Sequence, residues 1–445
     1  MILRFGIENF RSIAEYQEVL FTAASNREYE TSIFKPDGIR EAVLPTIAIY
    51  GANSSGKSNM LIALRLLKRA ICLSATKPLS DATIPTFKLD KTWQSKPTLF
   101  DIDFLHDGTH FHYGFSISGG TVVEEWLYLY SYGARASRSL LFSRELVDGE
   151  TIYQFGKHLK GKTKTLADIT GDENLFLSIG AKSKKHKHPL LHSIADYFRS
   201  SYRFRFEPDL YEDRTGELIL KYNLEKQVSS FLSKLDFGLS ELTVKREELD
   251  EREITAQEQM RETLVAALEE ISGGEPFGVS PVPKARHLIT IKRKSKDGEM
   301  LDFTYGEESL GTKSLISILA SVFWVLKNGG VLVVDELESS LHPLLSLKVV
   351  ELFRNEKVNI GQAQLIFSTH ETQLLSSQGT LREEVWFTEK CRAGSTQLTP
   401  LTDFSVSKKS NIENGYLDGR FGAIPFLGNA DDFCLIAEDM QHATA

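Results

Sequence analysis

Apolar residues along this chain recur in distinct rhythms, and each rhythm predicts an element. "LRFGIENF" near the start alternates and predicts a first strand, with a turn near Arg11 and Ser12. "TIAIY" at 46–50 is wholly apolar and predicts a strand covered on both faces. "SNMLIALRLLKRAI" follows with apolar residues at helical spacing. Alternation returns from 98 to 130, where the turn signals "HDG" and "SGG" predict an antiparallel meander. From 189 to 272 the pattern is mostly helical and highly charged. There Met260, Leu264, Ala267, Leu268 and Ile271 make one apolar face, expected in a core or a helix–helix contact, on a helix spanning roughly 245–272. "ISGGEPFGVSPVP" breaks the helix, and "HLITIKRKSKDGEMLDFTY" predicts a hairpin turning at Asp297-Gly298. The remainder alternates helices with short buried strands: "SLGTKSLISILASVFWVL", "GVLVVDE", "PLLSLKVVELFRN", "AQLIFSTH". That order predicts an α/β fold with a largely parallel sheet.

Composition narrows the class. The 445 residues are 41% apolar and 25% charged, an ordinary globular balance. A net charge of −8 argues against nucleic-acid binding over the whole surface, though not against a local basic patch. Two basic clusters stand out, "KHLKGKTK" (157–164) and "KSKKHKH" (182–188). They lack interleaved aromatics, and two readings stay open: contact with nucleic acid or an acidic protein, or a solvated charge run. Cys72, Cys391 and Cys434 are too few and too scattered for a disulfide framework or a metal site, which suits a reducing cytosol. The N-terminus does not read as a signal peptide, and no apolar run reaches membrane-spanning length; "LISILASVFWVL" suits a buried helix. A cytoplasmic location with no membrane partner is expected.

The chemistry begins at Gly51-Ala-Asn-Ser-Ser-Gly56-Lys57-Ser58, which matches G-x-x-x-x-G-K-[ST] after a buried strand and before a helix. Glycines let successive amide N–H groups face one concavity, and the helix N-terminus adds partial positive charge. Lys57 would reach the β- and γ-phosphates of a nucleotide, and the Ser58 hydroxyl would hold Mg²⁺. The expected nucleotide-binding set is Asn53, Ser54, Ser55, Gly56, Lys57, Ser58 and Asn59.

Far along the chain, "VLVVDE" is an apolar strand ending in Asp335 and Glu336. Two adjacent anions at the end of a buried strand need a cationic or polar partner, and Mg²⁺–nucleotide would supply it. Asp335 would hold the metal and Glu336 would polarise the attacking water. Glu338 is the competing base; it falls among helix-start residues, where a carboxylate also suits the helix dipole, so Glu336 is favoured. His370 ends the buried strand "QLIFSTH" and could sense the γ-phosphate by hydrogen bonding.

"ESLGTKSL" opens a strongly apolar helix ahead of Asp335. Here the chain resembles the ABC-type ATPases, whose signature motif places a serine and a glycine at a helix N-terminus. "GANSSGKS", "SLGTKS", "VLVVDELESSLHP" and "STH" occur in that family's order. The resemblance implies that Ser309, Gly311 and Lys313 close over nucleotide held by another subunit, so that two chains meet head to tail around two ATP molecules. It also implies that 339–342 cross the dimer interface. Thr312 stands where the family has a second glycine. The separation of Gly51 from Ser309 exceeds that of transporters. "IENFRSI" is similar to the first strand of chromosome-maintenance and repair ATPases, which makes Arg11 and Ser12 secondary site candidates, but the middle segment is too short for a long coiled-coil arm. The closer resemblance is to compact prokaryotic ATPases related to the overcoming-lysogenisation nucleases, including anti-phage ATPases of the PARIS and RloA type. "NGYLDGRFGAIPFLG" matches their Y-x-x-G-R-[FY]-G-x-x-P segment.

Too little chain follows His370 for the C-terminal Toprim nuclease of the overcoming-lysogenisation nucleases. The resemblance therefore implies a switch in phage defence with a separate effector, a phage protein or nucleic acid as trigger, and homodimers or multiples of dimers. The alternatives are a DNA-binding maintenance or repair ATPase and a nucleotide-binding scaffold with little hydrolysis. The expected division is the N-terminal part of the ATPase head at 1–180, a helical insertion at 181–285, the C-terminal part of the head at 286–430 and a tail at 431–445. Two further candidates are weaker. His110 and His112 alternate on one strand without a third metal ligand, and more readily face solvent or a partner. Gln94 could be a metal-contacting glutamine, with no firm anchor around it.

Overall fold

The computed structural model describes residues 1–23, 33–81, 84–132, 136–206, 211–235, 238–271, 282–376, 380–406 and 411–424, the side chains of 264–271 excepted. The expected tail, Cys434, most of the 271–283 connection, and the Leu264, Ala267, Leu268 and Ile271 side chains lie outside the described residues. The chain forms two compact units: Met1–Phe204 with Gly329–Glu338 and Ser346–Ala445, and Arg205–Asn328 with Ser339–Leu345. The boundary after Phe204 is later than the expected start of an insertion at 181.

The first unit opens with β1 (Ile2–Glu8), β2 (Gln17–Leu20), the short pair β3 (Thr22–Ala23) and β4 (Ala42–Val43), and β5 (Thr46–Gly51), which leads into helix α1 (Lys57–Leu73). A one-turn helix α2 (Lys91–Gln94) precedes five antiparallel strands: β6 (Thr98–His106), β7 (Thr109–Ser118), β8 (Thr121–Tyr132), β9 (Ala136–Val147) and β10 (Glu150–Phe155). With β1 and β2 these make a seven-stranded sheet in the order β10-β9-β8-β7-β6-β1-β2. Asp107-Gly108 and Asp148-Gly149 turn with positive φ at both residues, the conformation that two-residue hairpins require. One sheet face is apolar: Phe100 stacks on Phe115 at 5.1 Å, and Phe104 meets Phe198 edge-on at 5.1 Å.

The other face carries charge, and it corrects the reading of His110 and His112. His110 Nε2 lies 2.9 Å from Asp103, and His112 Nε2 lies 3.4 Å from Asp101. Arg4 bridges both carboxylates at 2.7 and 2.6 Å. Strand register places the two aspartates beside the two histidines on the same face, so the rings are packed into an ion network instead of facing solvent. No group of three or more potential metal ligands occurs among the described residues.

Helices α3 (Thr163–Asp168), α4 (Phe176–Lys182) and α5 (Pro189–Ser201) lead to β11 (Tyr202–Arg205). In the second unit, α6 (Glu212–Lys221) and α7 (Glu225–Leu232) are followed by β12 (Leu239–Glu248), α8 (Glu251–Ile271), β13 (Ala285–Lys294), β14 (Met300–Thr304) and α9 (Leu310–Asn328). Strand β12 departs from the helical reading of this region. "LTVKRE" pairs with β13 in a register that sets Leu242 beside Ile291 and Val244 beside Ile289, and this pairing overrides the charge-rich local pattern. Met260 on α8 is 77% exposed, so it does not join a core face. Among the described residues α9 alone is long and apolar enough to cross a membrane, and most of it is buried.

The chain then returns to the first unit through β15 (Val331–Val334), α10 (Pro343–Arg354, which begins in the second unit), β16 (Gln364–Ser368), α11 (Gln373–Ser376), β17 (Val385–Lys390), β18 (Thr396–Pro400) and α12 (Ile412–Leu417). The second sheet runs β11-β15-β16-β5-β17-β18, with β15, β16, β5 and β17 parallel to one another. Every residue of β5, β15 and β16 is buried, as a strand covered on both faces requires.

Candidate nucleotide site

The parallel sheet aligns β15, β16 and β5, and their C-terminal ends carry the residues singled out by the sequence. In open α/β sheets ligands gather at that edge. At the end of β5 the chain turns through Ser54 (φ 65°) and Gly56 (φ 112°) into α1. A side chain at Gly56 would meet the Thr396 hydroxyl at 2.2 Å, and one at Gly51 the Thr388 hydroxyl at the same distance, so both positions require glycine. Gly56 caps α1 without a side-chain acceptor, and the first turn has no carboxylate. The Lys57 and Ser58 amides therefore remain available to an anion, whereas the Asn59 amide donates to the Gly56 carbonyl at 3.0 Å.

Lys57 is buried against this loop. Its ammonium donates to the Gly51 carbonyl at 2.9 Å and the Ala52 carbonyl at 3.2 Å, and lies 3.0 Å from His370 Nε2. Burial lowers its pKa, while Asp335, Glu336 and Glu338 act in the opposite sense. Burial, and then the Lys57 charge, lower the His370 pKa against the pull of the same three carboxylates. Lys57, His370, Asp335, Glu336 and Glu338 thus share one electrostatic neighbourhood.

Each acidic residue is held differently. Asp335 accepts from the Ser368 hydroxyl, and that hydroxyl also accepts from the Glu336 amide at 2.8 Å. Glu338 accepts from the Thr369 hydroxyl at 2.7 Å and from the His370 amide at 2.6 Å. Both its oxygens are engaged in fixing the strand-end turn. Glu336 sits at φ 51° and is exposed, and its carboxylate has no hydrogen-bond partner among the described residues.

Two threonines distant in the chain support the loop from beneath, with no local motif to mark them. The Ser55 and Thr388 hydroxyls are 2.6 Å apart, and Thr388 also donates to the Tyr50 carbonyl at 3.0 Å. Thr396 donates to the Ser55 carbonyl at 2.6 Å and lies 2.8 Å from the Ser12 hydroxyl. Asn59 donates to Ser12 at 2.6 Å, and Arg11 reaches Asn59 at 3.4 Å. Arg11 and Ser12 therefore do lie at the phosphate loop. Gln94 does not join it: that side chain is exposed and donates to the Lys88 carbonyl at 3.0 Å. The terminal Y-x-x-G-R-F-G segment is structural where it is described. Tyr416 and Phe421 stack on Phe387 of β17 at 5.6 and 5.4 Å, and Tyr416 meets Tyr50 at 5.7 Å.

In the second unit Ser309 caps α9 by accepting from the Thr312 amide at 3.1 Å. Gly311 lies close to the Ser340 carbonyl, where a side chain would approach to 3.3 Å. Lys313 donates to the Gly306 carbonyl at 2.9 Å. Glu308, just ahead of the helix, pairs with Arg293 at 2.6 Å.

A glycine-rich loop between a buried parallel strand and a helix, with an acidic strand end and a histidine beside its lysine, defines an α/β domain of the P-loop NTPase class. A family model described as "AAA domain, putative AbiEii toxin, Type IV TA system" matches residues 47–376, most of the chain and all of these motifs. The chain belongs to that family. Similar solved structures include an SMC head bound to the C-terminal winged-helix domain of ScpA. It is 15% identical, with a TM-score of 0.37, and the match covers 92% of this chain and 98% of that one. Another is the recombination mediator RecF with ATPrS, 15% identical, with a TM-score of 0.31 and coverage of 89% and 98%. Likenesses this distant say nothing of what this chain does. A search of curated proteins finds no match.

Proposed function

We propose that the chain is a Mg²⁺-dependent ATPase that dimerises head to tail around ATP and works as a sensor or regulatory switch in anti-phage defence, acting through a separate effector protein. The observation that carries the ATPase reading is the convergence of Lys57, Asp335, Glu336 and His370 on one phosphate loop. Lys57 and the first amides of α1 bind the β- and γ-phosphates. The oxygen donors Ser58 and Asp335 suit Mg²⁺, a hard cation that needs only one or two protein ligands beside phosphate and water. The bond from the Ser368 hydroxyl to the Asp335 carboxylate supports this reading, because it restrains the carboxylate at the strand end. When bound, the metal neutralises charge developing on the γ-phosphate. Glu336 orients and deprotonates the attacking water, and His370 contacts the γ-phosphate.

The dimer reading rests on one copy of each half-site per chain. The Ser309 cap and the glycine at 311 make an N-terminus suited to closing over a partner's nucleotide. The defence role rests on the resemblance of the motif set and the Y-x-x-G-R-F-G segment to compact anti-phage ATPases. Single-turnover hydrolysis tests the enzyme reading: wild type should convert bound ATP to ADP and phosphate, while Glu336→Gln retains ATP unhydrolysed. Equal inertness of both proteins would favour a nucleotide-binding scaffold.

A further inference from the structure

The two basic stretches separated in the sequence form one surface in the first unit. The clasp is His188. Its amide donates to the Gly180 carbonyl at 2.8 Å, folding the 183–188 loop back onto α4. Its Nε2–H donates to the Lys160 carbonyl at 2.8 Å, tying that loop to the segment ahead of α3. Of the lysines in 157–164 and 182–188 all but Lys182 are exposed. None of them forms an ion pair among the described residues. Lys182 extends the field toward Arg199, whose charge helps lower its pKa after burial. This is a concentrated cationic face on a chain of net charge −8.

We infer that this face binds the sugar-phosphate backbone of double-stranded nucleic acid without reading its sequence. Neither stretch contains arginine, tyrosine or tryptophan, the side chains that anchor protein partners and grip carboxylates in a fixed fork. Neither contains phenylalanine, tyrosine or tryptophan, the large rings on which unstacked bases stack in single-strand binding, and of the histidines there only His158 is exposed. What remains is a field of mobile point charges on two adjoining loops. Its natural counterpart is a regular array of phosphates, bound through counterion release. The inference is independent of the ATPase reading, because it uses none of the nucleotide-site residues.

The test is fluorescence anisotropy of the full chain with two labelled duplexes of unrelated sequence, titrated over a range of salt. Both duplexes should bind with equal affinity, and log K should fall linearly with log salt. The triple variant Lys184→Glu, Lys185→Glu, Lys187→Glu should weaken binding at least tenfold and flatten the salt slope by about 2 to 3. A second variant, Lys160→Glu with Lys162→Glu on the other loop, should weaken it in the same direction. Binding of a fluorescent ATP analogue should be unchanged in both, which also shows that they fold. Duplex binding that is absent, or insensitive to both variants, overturns the inference. So does preferential binding of polyglutamate or of single strands to the same face, the first assigning it to an acidic protein.

Discussion

The Lys57 ammonium lies 3.0 Å from His370 Nε2, so the lysine of the glycine-rich loop and the strand-end histidine are in direct contact. Two carbonyls of the loop hold the same ammonium. On the function proposed above, Lys57 exchanges these contacts for phosphate oxygens and His370 contacts the γ-phosphate. Lys57→Ala should weaken ATP binding at least tenfold, because a charge-assisted contact to phosphate is lost. His370→Gln should change ATP affinity by less than about threefold and slow turnover by about 10²-fold, the usual scale for one positioned polar group. Equilibrium titration and single-turnover rates on the same preparations check both.

Glu336 and Glu338 are two residues apart and hold opposite positions. Glu338 is tied to Thr369 and the His370 amide, whereas Glu336 projects unpaired. Glu336→Gln should reduce turnover by about 10²- to 10⁴-fold with ATP affinity retained. Glu338→Gln should cost about 1–3 kcal/mol of stability, through weakened bonds to the turn, with a smaller loss of turnover. Urea denaturation beside steady-state kinetics separates the two, and an exchange of these phenotypes would reassign the base.

The pH dependence follows from His370. Burial and the adjacent Lys57 lower its pKa from the ordinary 6.5, so the folded protein binds this proton less readily than the unfolded chain. Stability linked to His370 is complete above pH 6.5 and is lost as the pH falls below it. The drop in urea midpoint from about pH 7.5 to about pH 5.5 should be larger in wild type than in His370→Gln. Other histidines contribute equally to both proteins and cancel in the difference.

Thr396 supports the phosphate loop from beneath, bonding the Ser55 carbonyl and the Ser12 hydroxyl that in turn receives Asn59. Thr396→Val keeps the shape and removes the bonds. It should cost about 1–3 kcal/mol of stability and weaken ADP and ATP by the same factor, because the support acts on the whole loop and not on the γ-phosphate. Calorimetric titration with each nucleotide checks this.

The motifs were legible in the sequence because phosphate and metal chemistry restrict residue type and spacing locally. Gly51 to Ser58, Asp335, Glu336 and His370 come together because their strands are buried parallel neighbours, and continuous apolar runs announce such strands. What was not legible depends on pairing between distant segments. Strand β12 looked helical until β13 supplied its partner. His110 and His112 looked exposed until the register set Asp101 and Asp103 beside them. Thr388 and Thr396 lie in unremarkable polar surroundings, and only their strands' position beneath the loop gives them a role.

The head-to-tail account meets its most direct test in a mixing experiment. Ser309→Arg and Lys57→Ala each disable both composite sites of their own homodimer. A mixed dimer restores one intact site, made of the Lys57 loop from the first variant and the Ser309 helix from the second. With random pairing at equal concentrations, the mixture should hydrolyse ATP at about a quarter of the wild-type rate, while each variant alone is inert. A mixture no more active than its separate components would show that the two halves of the site do not come from different chains.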